Sequence, residues 1–178
     1  MSPLHAFNRT RSSHPRQASA CRLALALLLG ITAAPVTAAT CSTTTTGVAF
    51  GAYNVFAAGA VNTTGTLKVT CSLDPLESGP VTAAFTLSLS TGSSNSFVQR
   101  QMVSGTNLLV YNLYTANTHS VVWGDGSGAT ATVSGSIKLT NGTPSRSENK
   151  TVYGQVSALQ DVAVSPLYSD TIVVTTSY

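Results

Sequence analysis

The segment Asn107–Tyr114, NLLVYNLY, followed a few residues later by VVWGDGSG, constrains this chain more than any other stretch. On an extended backbone Leu109, Tyr111 and Leu113 face one way and Leu108, Val110 and Tyr114 the other, so both faces are apolar or aromatic. A strand of that kind is expected to be covered on both faces, as in a sandwich. Trp123 ahead of Gly124, Asp125, Gly126 and Gly128 sets one large side chain beside a turn built from residues that tolerate positive φ.

Around this strand, helix signals are nearly absent and strand signals recur between clusters of Gly, Ser, Asn and Pro, the pattern of an all-β sandwich. Gly47 to Phe50 reads as a first short strand, with the Thr43–Thr46 run as its Ser/Thr-rich lead-in. In Thr66–Leu73 the residues Leu67, Val69, Cys71 and Leu73 share the face expected to be buried, and in Val81–Leu89 Phe85, Leu87 and Leu89 do the same. Asp74–Pro80 reads as a turn. Thr130–Leu139, Thr151–Val156 and Thr171–Ser177 supply three more strands, rich in β-branched residues. Asn141–Asn149 reads as a hairpin or surface loop.

The first 38 residues have the layout of an export signal: Arg9, Arg11, Arg16 and Arg22, then the apolar run Leu23–Ala33, then Val36-Thr37-Ala38 as a small-residue cleavage site. The run is shorter than the ~20 apolar residues a membrane span needs, so the mature chain, 39–178, is not expected to span a membrane. Four of the nine basic residues leave with the signal, and five then face six acids, for a net charge of about −1. With no basic stripe to neutralise phosphates, a nucleic-acid partner is not expected. Cys21 also leaves, and Cys41 and Cys71 are expected to pair in an oxidising compartment, two buried free thiols being the alternative. A metal site would need more ligands than these cysteines and His119 provide, so no metal or cofactor is expected.

The ordered set ATCS, VAFGAYN, GTLKVTCS, YNLYT, VWGDGSG and YSDTIVVTTSY resembles the spore coat protein U domain, a module shared by a spore coat protein and by subunits of archaic chaperone–usher pili. The resemblance covers nearly the whole mature chain. It implies a Cys41–Cys71 disulfide, a core position for Trp123, and an immunoglobulin-like or pilin-like sandwich that in pilus members lacks one strand. In those members a chaperone strand fills the groove first and a neighbouring subunit's N-terminal extension fills it later. Ile172, Val174 and Tyr178, alternating in the last strand, are then the candidate groove residues. The implied partners are a periplasmic chaperone, an outer-membrane usher and other pilus subunits. Only Ala39 and Thr40 separate the expected cleavage site from Cys41, so no donor segment is expected. An acceptor at a fibre end, a self-complete coat or matrix protein, and a misplaced cleavage site are the three explanations.

Enzyme chemistry finds little support. A Ser-His-Asp hydrolase would have to use His119 with Asp125, and no nucleophile elbow accompanies them. One carboxylate in WGDGSG is too few for a calcium loop. An adhesive or carbohydrate-binding patch built from Tyr53, Phe56, Phe97 and Tyr168 competes with those rings capping the ends of the sandwich. The sequence therefore points to an exported structural protein of a surface fibre, with a secreted coat protein as the alternative and a lectin or hydrolase behind both.

Overall fold

A computed structural model describes residues 38–164 and 167–178 as two antiparallel sheets with a single 3₁₀ turn at Gly92–Ser94. All of the expected signal, residues 1–38, except Ala38 lies outside the described residues. The strands are β1 (Ala39–Thr46), β2 (Val61–Leu73), β3 (Val81–Leu89), β4 (Arg100–Ser104), β5 (Asn107–Tyr114), β6 (Val133–Leu139), β7 (Ser145–Val156) and β8 (Val174–Ser177). One sheet has the order β1-β2-β7-β5-β4 and the other β6-β3-β8.

The apolar alternation chose the inner faces. Leu67, Val69 and Cys71 of β2, Phe85, Leu87 and Leu89 of β3, and Leu109, Tyr111 and Leu113 of β5 are all buried in one core. The outward face of β5 differs from expectation: only Asn112 is covered there, while Leu108 is 46% exposed and Tyr114 half-buried. Asn112 is buried because its amide donates to the carbonyls of Phe97 and Val98, where the chain wraps over that strand.

Three other expectations are corrected by strand pairing. The Thr43–Thr46 run is not a lead-in but part of β1, held in register with β2 from Ala39↔Leu73 to Thr46↔Thr66. Gly47–Phe50 is not a strand. Val48 and Phe50 point inward while Gly47 and Ala49 are exposed, but among the described residues no hydrogen bond reaches the main chain of Val48 to Tyr53. Likewise β7 begins at Ser145, so only the tip of the expected 141–149 loop is a turn, closed by reciprocal Thr140 and Thr143 bonds.

Trp123 is fully buried and ties the sheets together. Its indole N–H donates to the Leu87 carbonyl of β3, its amide donates to the Leu113 carbonyl of β5, and its own carbonyl accepts from Arg100 Nη2. Arg100 is itself fully buried, with no carboxylate partner among the described residues: Nε and Nη2 donate to the Ser90 carbonyl and Nη1 to Asn112 Oδ1. Phe97 lies 5.2 Å from the guanidinium carbon. Burial lowers the guanidinium pKa, and Tyr111 and Asp170 oppose that shift. The cation remains charged at neutral pH, so its carbonyl cage substitutes for water.

Cys41 and Cys71 are bonded, directly opposite each other in the β1–β2 ladder and 30 residues apart in sequence. In the chain-entropy model such a link stabilises by roughly 3–4 kcal/mol. Reductant is expected to lower the melting temperature by roughly 10 °C, read by thermal unfolding with and without dithiothreitol. Arg100→Met would strand the Ser90 and Trp123 carbonyls and leave Asn112 Oδ1 with the Leu113 amide as its donor, and is expected to cost about 3–5 kcal/mol as a fall in denaturant midpoint.

Candidate functional site

Both β1 and β8 pair on one side only, and their free edges face each other where the two sheets part. In β8 the Ser90 amide donates to the Val173 carbonyl, so Val173 and Thr175 turn their main-chain groups toward β3. Ile172, Val174 and Thr176 turn theirs to the free edge, and are also the residues whose side chains point inward. The Cys41–Cys71 pair, with Cα atoms 4.0 Å apart, is of the closely spaced, non-hydrogen-bonded kind. By the same alternation Cys41, Thr43 and Thr45 present main-chain groups to the opposite free edge.

The two edges meet at one point, where the Thr43 and Thr176 hydroxyls bond at 2.8 Å. From there the chain continues through Thr46 and Val48 on one side and back through Val174 and Ile172 on the other, and a cleft of about 310 Å³ opens between them. Its floor is the core itself: Leu67, Leu89, Met102, Tyr111, Leu113 and Val152. A second cleft of about 520 Å³ adjoins it, sharing Val48, Phe50, Met102 and Tyr168 and running on to Leu109 and Val162. The site is thus an apolar channel flanked by unused backbone donors and acceptors.

Each wall is anchored differently. The β8 side is pinned by Asp170, whose Oδ1 accepts from the Ser93 amide and hydroxyl and whose Oδ2 accepts from the Tyr111 hydroxyl at 2.7 Å. Burial first, and the bond to Asp170 second, push the Tyr111 pKa far upward, so it stays a neutral donor. Just before that, Ser169 exchanges two main-chain bonds with Val103, so the chain borders β4 before crossing to the other sheet. The opposite wall, Gly47–Tyr53, is held by side chains. Val48 sits over Gly65 and Gly154, and a Cβ at Gly154 would stand 2.6 Å from Val48 Cγ1 and 2.9 Å from Phe50 Cζ. Phe50 also meets Tyr111 edge-on, with ring centroids 5.7 Å apart.

Of the residues singled out from sequence, Ile172 and Val174 line the cleft, and Tyr178, just past β8, is 53% exposed. Val48, Phe50 and Asp170 were missed as site residues. The alternation in VAFGAY was legible, but nothing local says that its backbone stays unpaired.

The other candidates are dispersed. His119 packs edge-on against Tyr114, while Ser127 donates to Asp125 from both amide and hydroxyl, holding that exposed carboxyl below its ordinary pKa. The four aromatics weighed as an adhesive patch or as end caps do not form one patch, although Tyr53 and Tyr168 both line the second cleft. The Tyr53 and Tyr168 hydroxyls donate to the Ser157 and Ala163 carbonyls, Phe97 lies against Arg100, and Phe56 is 88% exposed. Among the described residues no group of three or more His, Cys, Asp or Glu is placed to hold a metal ion, and no helix is long and apolar enough to cross a membrane.

Residues 28–175 match the family model described as Spore Coat Protein U domain. This chain belongs to that family. Among solved structures it is similar to a chain of the CsuC–CsuE chaperone–tip adhesion subunit pre-assembly complex, from archaic chaperone–usher Csu pili of Acinetobacter baumannii. The TM-score is 0.44 and the identity 18%, over 79% of this chain and 40% of that one. A comparison with curated proteins finds no match. The spore coat protein U fold here is a nearly all-β sandwich whose smaller sheet ends in β8, paired with β3 on one side and free along its other edge.

Gly154→Ala is expected to push Val48 and Phe50 out of their notch. The nuclear Overhauser contact between the Phe50 and Tyr111 rings should weaken, with an overpacking cost of about 1–3 kcal/mol in the denaturant midpoint.

Proposed function

We propose that this spore coat protein U domain is an exported subunit of a chaperone–usher surface fibre and acts by accepting an extended strand in the groove between β1 and β8. The observation that carries this reading is the coincidence of an apolar channel with two unpaired strand edges whose inward residues direct main-chain groups into it. Main-chain bonds to Val174 and Thr176 would supply affinity, and alternating apolar side chains over Leu67, Leu89 and Leu113 would supply register. The partners are a periplasmic chaperone, which lends a strand during transit, an outer-membrane usher, and a neighbouring subunit. The export signal read in residues 1–38 supports a route through the periplasm to the cell surface. The short segment between that signal and Cys41 supports a role at a fibre end.

A second reading, a self-complete coat or matrix protein, is favoured by one feature. Val48 and Phe50 already fill part of the inner face, and the Thr43–Thr176 bond closes one end of the groove.

Periplasmic expression with and without a chaperone of the archaic type separates the two. Recovery only in a chaperone complex is expected for an acceptor, whereas a soluble monomer with a cooperative melt would establish the coat reading instead. Val174→Pro sharpens the test, because the lost amide faces the groove and not β3. The variant should keep its fold but bind the chaperone roughly threefold to tenfold more weakly. Thr175→Pro, whose amide faces β3, should instead destabilise the sheet.

A further inference from the structure

The outward face of the five-stranded sheet lies apart from the groove and carries a second arrangement. Strand register sets Val122, Tyr114, Tyr153 and Thr64 side by side in one row, because Tyr114 pairs with both Val122 and Tyr153, and Tyr153 pairs with Thr64. With strands about 4.8 Å apart, the row spans roughly 14 Å. Tyr114 and Tyr153 are half-buried, and among the described residues neither hydroxyl makes a hydrogen bond. His119 extends the aromatic strip, with its ring centroid 5.2 Å from that of Tyr114 and its plane at 88°. It does so from a left-handed backbone, φ 51°, a conformation His tolerates better than most residues.

Both flanks of the row are polar and uncharged. On one side Gln155 Nε2 donates to Asn62 Oδ1 at 2.9 Å, and on the other Thr151, Thr66 and Thr46 stand opposite one another on three strands. Thr46, Thr64 and Thr151 are exposed. The nearest charge in these outward rows is Lys68, one row beyond the threonines.

We propose that this strip is a binding site for a neutral glycan. A pyranose ring has an apolar face of C–H bonds, whose positive edges suit the negative face of a tyrosine ring, and hydroxyls around its rim that need donors and acceptors. Tyr114 and Tyr153 supply the platform, and Asn62, Gln155 and the threonine hydroxyls supply the rim. A row without carboxylate or clustered cation matches an uncharged ligand and offers nothing to phosphate or uronate. The site does not depend on strand acceptance by the groove.

Calorimetric titration of the full chain with cello-, malto- and chito-oligosaccharides tests it, together with saturation-transfer NMR of the tyrosine rings. At least one glycan class is expected to bind with little dependence on salt. Tyr153→Ala and Tyr114→Ala should each weaken binding roughly threefold to tenfold, as the loss of one aromatic contact implies. Thr64→Lys, at an exposed position where folding is not at stake, should weaken it too, and Lys68→Ala should leave it unchanged. The proposal is overturned if none of the three classes binds, if binding survives both tyrosine variants, or if only a polyanion such as heparin binds and is released by salt. Self-association abolished by Thr64→Lys would also overturn it, by assigning this face to a second copy of the chain.

Discussion

The buried contact between Arg100 and Trp123 is the constraint on which the sandwich rests. Trp123 is bonded to the Leu87 carbonyl in one sheet and the Leu113 carbonyl in the other, and Arg100 grips its carbonyl together with those of Ser90 and the Asn112 side chain. A buried cation without a carboxylate partner is costly unless every donor is directed, and this one is held by a fixed set of acceptors from β5 and the segments after β3 and at Trp123. The sheets are therefore locked together through directional bonds as well as apolar burial. Elsewhere they need not meet so closely.

That freedom appears between β1 and β8. The smaller sheet has three strands against five, so the inner face of the larger one extends past β8 and its apolar floor is left accessible from the edge. Open strand edges are hazardous, because they pair with whatever strand arrives. Here the hazard is limited by Asp170 bonding to Tyr111, by Val48 and Phe50 lodged over Gly65 and Gly154, and by the hydroxyl contact of Thr43 with Thr176. None of these supplies the main-chain bonds that a paired strand would. The groove is covered in part, and among the described residues the main-chain groups that Val174 and Thr176 turn toward it on one side, and Thr43 and Thr45 on the other, belong to no strand ladder.

Much of the architecture is legible in the order of the residues. The alternation in Thr66–Leu73 and Val81–Leu89 places Leu67, Val69, Phe85 and Leu87 correctly inside, since side-chain direction in a strand is a local property of period two. The failures are of pairing. Thr43–Thr46 has no apolar alternation and is still strand, because β2 and the Cys41–Cys71 bond fix its register. Gly47–Phe50 has the alternation and is not, because no neighbour offers its backbone a ladder. No strand is read from sequence at β4, whose five residues include only Met102 and Val103 as apolar side chains, and pairing with β5 identifies it.

Sequence alone determined the all-β class, the inner faces of the long strands and the family, because these depend on local periodicity and on motifs in a fixed order. Within the site it marked Ile172 and Val174 and missed the wall facing them. Tertiary structure decided which edges stay unpaired, that Val48 and Phe50 lodge opposite β8, and that Tyr114 and Tyr153 stand together on an outward face expected to be covered. These outcomes depend on which strand lies beside which and in what register. That is settled by contacts between residues many tens of positions apart, and no local pattern encodes it.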